Sequence, residues 1–442
     1  MKLWQKEFDI HQKIEEFTIG SDREIDLLLA RYDVLGSLAH VQMLWQVGLI
    51  TAEELQQLRE GLKQIYGEIE QGQFVIQQGV EDVHSQIEIL LTQRLGQVGK
   101  KIHTGRSRND QVLTDIKLFI REEICKLVEN INQLANLFIQ QSEKYKHVLL
   151  PGYTHFQLAM PSSFGLWFGA YAESLADDLL VLQAAYRVAD QNPLGSAAGY
   201  GSSFPLNRRL TTQLLGFADL NYNSAYAQMT RGKTERITAF ALGSVASTLA
   251  RLASDVCLYM SQNMDFLTFP QELTTGSSIM PHKKNPDVFE LIRAKCNRLQ
   301  ALPFEIGTIM ANLPSGYHRD FQLIKEILLP AFAELTNCID LAAYMLKQVI
   351  VRDNILSEEK YKYLFSVEAV NQEVIKGMSF REAYRKVAQQ IQQGNFYPPT
   401  TLHHTHEGSI GNLCNEEIQR KLETIIASFE FEKAKKMYQL LN

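Results

Sequence analysis

Residues 106–150 contain neither glycine nor proline, and apolar side chains recur through them at Val112, Ile116, Phe119, Ile120, Ile124, Leu127, Ile131, Leu134 and Phe138. Steps of three and four mark one face of a helix. At about 1.5 Å per residue, an unbroken helix of this length reaches about 50 Å or more, longer than an ordinary globular helix. Such an element belongs in a long bundle. Further helical patterns cover 161–190 and 234–264, then run from 286 past 302 and resume over 323–351, while strand-like alternation is scarce. The expected fold is therefore all-α, with an N-terminal helical domain over 1–109, a long central helical bundle over 110–351 and a smaller C-terminal helical domain over 352–442. The bundle's apolar surface is too extensive for one chain to hide, and the Ala/Ser/Gly-rich run 239–253 permits close helix contacts, so association of copies is expected.

Charge excludes some partners. Lysine and arginine total 44 against 50 acids, a net −6, which argues against a nucleic-acid partner needing a broad basic surface. The apolar run 237–260 is interrupted by Arg251 and rich in small residues, which suits a buried helix better than a membrane span. Residues 1–7 carry no apolar run after their charges, so no secretory signal is expected and the location expected is cytoplasmic. Cys125, Cys257, Cys296, Cys338 and Cys414 are scattered and form no CxxC pair, so they read as buried reduced thiols rather than disulfides or zinc ligands. His403, His404 and His406 sit in a Pro/Thr-rich loop without a matching ligand set and read as surface or packed histidines; no metal site is expected.

One loop looks built for an anion. Gly276-Ser277-Ser278-Ile279-Met280-Pro281-His282-Lys283-Lys284-Asn285-Pro286-Asp287 crowds glycine, hydroxyls and cations between helical segments. Its end reads as an N-cap at Asn285, a first helical position at Pro286 and a first-turn acid at Asp287. Three other segments carry similar chemistry: His103-Thr104-Gly105-Arg106-Ser107-Arg108-Asn109-Asp110, Pro151-Gly152-Tyr153-Thr154-His155-Phe156-Gln157, and the run from Tyr317-His318-Arg319-Asp320 to Lys325. Ser107 and Asp110 have capping-box spacing, which would gather Arg106, Arg108 and Asn109 near a positive helix terminus suited to carboxylates.

In wording and order, the four segments resemble the fumarate-releasing lyase superfamily, fumarase/aspartase-like in fold, and within it the argininosuccinate lyase family. That resemblance implies β-elimination of argininosuccinate to arginine and fumarate without a cofactor, in a homotetramer whose active sites are shared between subunits. It implies Ser277 as the base, His155 as the group delivering a proton to the leaving nitrogen, Glu290 as the acid orienting that histidine, and Lys283 against a succinyl carboxylate. A serine is a poor base unless loop N–H groups and Lys283 stabilise its alkoxide. The stabilised intermediate carries extra negative charge on a carboxylate, which calls for preorganised cations and donors. Arg106, Arg108, Asn109, Thr154, Asn285, Tyr317, Gln322 and Lys325 occupy substrate-binding positions on the same resemblance. Glu81-Asp82-Val83-His84 resembles a further family segment, although its histidine also suits a packed helix start.

Departures mark out alternatives. His282 stands where glutamine is usual, in wording common to adenylosuccinate lyase; Gln228-Met229-Thr230-Arg231-Gly232 lacks an expected Ser-Asp-Arg; Tyr384 replaces a histidine; and Gly20-Ser21-Asp22-Arg23 does not align with the family's serine. Adenylosuccinate lyase is the nearest rival, opposed by the Arg106-to-Asp110 string. A non-catalytic crystallin-like relative is a more distant one, opposed by His155, Ser277 and Lys283.

Overall fold

A computed structural model describes residues 11–399 and 401–442. The long glycine- and proline-free stretch forms a single helix. Helices α1 (Ala30–Gln46), α2 (Ala52–Glu70) and α3 (Val83–Leu95) precede α4 (Arg108–Lys144), whose 37 residues span about 55 Å. A hairpin of β1 (Leu149–Thr154) and β2 (Gln157–Ser163) leads into α5 (Phe164–Ala189). Then come α6 (Lys233–Tyr259), α7 (Asp287–Leu299), α8 (Leu302–Ile309) and α9 (Gln322–Leu346). Beyond them lie α10 (Ser366–Ile375), α11 (Phe380–Gln392) and α12 (Asn415–Ala427).

The bundle consists of α4, α5, α6, α7 and α9, each packed on at least two of the others. Every apolar residue that marked the stripe on α4 is buried. Ring contacts at 5.8 and 5.7 Å run from Tyr32 through Phe119 to Phe332, tying α1, α4 and α9 together. A smaller core of Val370, Ala383, Val387 and Phe396 holds α10 and α11. Lys233–Tyr259 and Arg319–Leu346 are long and apolar enough to cross a bilayer, but in this fold they pack against other bundle helices. Of the cysteines, Cys125, Cys296 and Cys338 are buried, whereas Cys257 and Cys414 are half-buried, and all five are free thiols.

Two expectations need correction. The helical pattern over 161–190 begins at Phe164, because Pro161 to Ser163 belong to the hairpin. At the next loop the helix starts at Asp287, with Pro286 in the cap position and no side-chain cap. Asn285 pairs instead with Thr275 across the loop's base, its N–H donating to the Thr275 carbonyl at 2.9 Å and its side chain to the Gly276 carbonyl at 3.3 Å.

The expected capping box at α4 is present. Ser107 N–H donates to Asp110 Oδ1 at 2.9 Å, and Ser107 Oγ accepts from Asn109 N–H at 3.3 Å. The other oxygen of Asp110 accepts the N–H groups of Gly195 and Ala197, both at 2.9 Å, so one carboxylate both starts the helix and pins a distant loop. Asp110→Ala should lower the free energy of urea unfolding by about 2–4 kcal/mol, the combined cost of a lost cap and orphaned buried donors. A change below 1 kcal/mol would show that water replaces the carboxylate at this site.

Candidate active site

The hairpin positions the candidate histidine. Thr154 pairs with Gln157, leaving His155 and Phe156 as a two-residue turn with φ of 53° and 58°. Turns of this kind favour Asn-Gly, so two side-chain-bearing residues here hold local strain of about 1–3 kcal/mol each. The ribbon is tight at its base, where a Cβ on Gly152 would stand 2.8 Å from the Met160 carbonyl. From sequence, the proline- and glycine-bounded segment around His155 reads as the entrance to the following helix; His155 projects instead at the exposed tip of a hairpin, with Thr154 exposed beside it.

The loop after Pro270 presents Ser277 differently. Its Oγ accepts the N–H groups of Ile279 at 3.3 Å and Met280 at 3.2 Å, so two backbone donors already point at the atom that would carry alkoxide charge. Lys283 is exposed on the same loop. Glu290 lies on the first turn of α7, exposed, with its carboxylate 3.9 Å from Arg293.

A cavity of about 160 Å³ gathers a third group. Asn109, Arg108, Tyr317, Gln322 and Lys325 line it, together with Asp22, Asp26, Glu81, Asp82, His84, Arg231 and Arg319. Its cations are already paired. Lys325 Nζ lies 2.5 Å from Asp26 and 2.8 Å from Asp22. Arg108 Nη1 lies 2.7 Å from Glu81 and 3.1 Å from Asp82, and Arg319 Nη2 reaches the other oxygen of Glu81 at 2.6 Å. Gln322 donates to the Thr18 and Ile19 carbonyls, which fixes the start of α9 against the N-terminal helices. Arg231 donates to the Phe321 carbonyl at 2.8 Å and pairs with Glu235.

Arg106 turns the other way. It is buried outside this cavity and donates to Ser37 Oγ at 2.9 Å, so it does not gather with Arg108 and Asn109 as capping-box spacing suggested. Its charge serves a buried network instead. Burial pushes Asp115 well above the usual carboxylate range, whereas Asp33, despite its burial, is held low by His84. His84 Nδ1 contacts Asp33 directly, and although burial disfavours its charge, Asp33 holds its pKa above the ordinary value. Asp33, His84 and Asp115 form, among the described residues, the one group of three potential metal ligands with donor atoms within 4.8 Å of one another. His84 and the neighbouring Arg106 both act on Asp33 electrostatically, while Asp33 Oδ1 and Asp115 Oδ2 are buried without a hydrogen-bond partner. The histidine cluster is held through His404, whose Nε2 lies 2.9 Å from Glu368.

Apart from Arg106, the predicted residues sit in three places on one chain: the hairpin tip, the Ser277 loop with the first turn of α7, and the paired-charge cavity. Neither His155 nor Ser277 lines the cavity. Asp22, Asp26, Asp82 and Arg231 were missed by sequence reasoning. Only the Gly20-to-Arg23 and Glu81-to-His84 segments and the odd wording around Arg231 pointed near them.

Residues 6–301 match the family described as Lyase. The chain is 60% identical to an argininosuccinate lyase of Bacteroides fragilis, across 98% of this chain and 96% of that protein. The chain belongs to the argininosuccinate lyase family. A 37% identity to the argininosuccinate lyase of Thermotoga neapolitana covers 88% of this chain and 98% of that one. Among solved structures, EDDS lyase in complex with formate superposes with TM-score 0.74 at 22% identity over 98% and 94% of the two chains. A class II fumarase from Schistosoma mansoni gives 0.73 at 16%, over 96% and 95%. Both carry the same all-α bundle fold as this family member.

Removing Lys325 tests its paired state. Lys325→Met would leave Asp22 and Asp26 facing each other, and breaking such a buried pair costs about 3–5 kcal/mol at neutral pH. With no cation between the two carboxyls, burial and the neighbouring Asp26 charge would hold Asp22 further above its ordinary value. Their repulsion is relieved by protonation, so the deficit should shrink as pH falls from 7 to 5. Urea unfolding at both pH values checks this, and an equal deficit at both would mean that the ion pair is not its source.

Proposed function

We propose that this chain cleaves argininosuccinate to arginine and fumarate by β-elimination, as a carbon–nitrogen lyase working without a cofactor in the cytoplasm. The observation that carries the reading is the 60% identity to a named argininosuccinate lyase over nearly the whole chain. The site chemistry supports it. Ser277 removes the proton from the succinyl carbon beside a carboxylate, its alkoxide stabilised by the N–H groups of Ile279 and Met280 and by Lys283. His155, oriented by Glu290, supplies the proton to the departing guanidinium nitrogen. Thr154, Asn285, Asn109, Arg108, Tyr317, Gln322 and Lys325 hold the substrate, whereas Arg106, bound to Ser37 outside the cavity, does not contact it.

The same reading makes the enzyme a homotetramer whose central bundle associates and whose sites draw the three residue groups from different chains. Two features support association. Leu291, Phe304 and Phe240 on α7, α8 and α6 are 61%, 66% and 46% exposed, an unusual degree for large apolar groups on packed helices. In addition, neither His155 nor Ser277 lines the cavity that gathers Arg108, Asn109, Tyr317, Gln322 and Lys325. Analytical ultracentrifugation of an active preparation checks this, and a stable, active monomer would remove it. Activity and specificity are tested together by following fumarate release from argininosuccinate and, separately, from adenylosuccinate. Release only from adenylosuccinate would overturn the substrate assignment.

A further inference from the structure

The string that carries Arg108 and Asn109 is gripped by two residues of α1. His103 to Arg106 form a type II β-turn: Thr104 has φ −57° and ψ 121°, Gly105 has φ 75°, and the Arg106 N–H donates to the His103 carbonyl at 3.1 Å. The positive φ at the third position is the one glycine supplies without strain. Such a turn differs from type I mainly by a half-rotation of its central peptide, so a group that binds the Thr104 carbonyl decides between the two. His40 is that group. Its Nε2 lies 2.9 Å from the carbonyl oxygen, and because a carbonyl only accepts, Nε2 carries the proton. The ring is fully buried, and burial with the neighbouring Arg106 charge pushes it well below the ordinary histidine range. A neutral imidazole has a single N–H, so Nδ1 is bare, and it has no hydrogen-bond partner. Ser37, one turn earlier on the same face of α1, accepts from Arg106 Nη1 at 2.9 Å. The turn is thus held on both sides of Gly105, at a backbone oxygen and at a side chain.

We propose that His40 is a positioning residue for argininosuccinate cleavage: through the Thr104 carbonyl it fixes the turn from which Arg108 and Asn109 reach the substrate. This rests on the reading above, in which those two residues hold argininosuccinate. Only Gly105, Arg106 and Ser107 separate the gripped carbonyl from Arg108, and Ser107 is itself fixed as the cap of α4. The cap secures the string from its helix side and His40 secures it from the other. Without the imidazole, the Thr104–Gly105 peptide is free to rotate, and the groups beyond it lose their fixed aim. The role asks for an uncharged donor at the place of Nε2. A glutamine amide nitrogen stands at that place, whereas an asparagine amide nitrogen falls where Nδ1 is and leaves the carbonyl without a donor.

The test compares His40→Asn with His40→Gln in the intact enzyme. In His40→Asn the KM for argininosuccinate should rise about tenfold while kcat stays within about threefold, and amide hydrogen exchange across residues 103–109 should quicken about tenfold. His40→Gln should return both to within about threefold of wild type. If His40→Asn does not fold, His40→Leu, which fills the space without a donor, takes its place. A residue that only packs would lower the unfolding temperature and leave KM and exchange in the string unmoved, which would overturn the proposal. Equal defects in the donor and donorless variants would overturn it too, as would quickened exchange with an unchanged KM. If the wild-type enzyme releases no fumarate from argininosuccinate, the reading of function fails instead, and the exchange comparison alone decides whether His40 holds the turn.

Discussion

Replacing Ser277 by alanine should lower kcat for argininosuccinate cleavage by about a thousandfold or more, with little change in KM. The hydroxyl belongs to an exposed loop and its contacts are two long N–H hydrogen bonds within that loop, so the substitution leaves the bundle intact. What it removes is the proton acceptor, and with it the charge those two N–H groups are arranged to receive. His155→Asn should act on the same step from the leaving-group side, with a loss of about 10²–10⁴-fold. Steady-state fumarate release, with circular dichroism as a fold control, measures both. A serine that merely shapes a turn would lose less than about tenfold on truncation.

The second large effect concerns mixtures. If each site draws Ser277 and His155 from different chains, then unfolding Ser277→Ala and His155→Asn enzymes together and refolding them should produce hybrids in which some sites carry neither lesion. Activity should then rise about a hundredfold or more above either parent, because each parent retains only a residual rate. Mixing the folded parents without dissociation should give no rise. Were refolded mixtures as inactive as their components, both groups would have to come from one chain. The hairpin tip and the loop would then have to meet by a rearrangement within a single subunit.

Much of this architecture can be read from the chain. The 106–150 pattern reports α4 because an apolar stripe is a local property, and the capping box at Ser107 and Asp110 is legible for the same reason. The hairpin is not legible. Pro151, Gly152 and Pro161 are poor strand residues, and His155-Phe156 lacks the Asn-Gly wording that announces such a turn, so the segment reads as a helix entrance. Motif wording locates Lys325 and Arg108, and also the Glu81-Asp82 segment that pairs with Arg108, but not that pairing and not the partner of Lys325. Asp26 pairs with Lys325 across 299 residues of sequence, and no local periodicity reports a contact of that kind. Arg106 misleads in the opposite sense: its neighbours on the helix start face the cavity, while its own side chain is drawn inward by buried acids.

A two-stranded ribbon carrying an imidazole at its tip behaves as an arm that can lengthen only in whole steps. Inserting one residue into each strand extends its reach by about 3.4 Å but turns Thr154 and its neighbours to the opposite face, whereas two residues in each add about 7 Å and restore the facing. Natural variation in this segment should therefore conserve strand length, or change it by paired even insertions, even where the residues themselves drift.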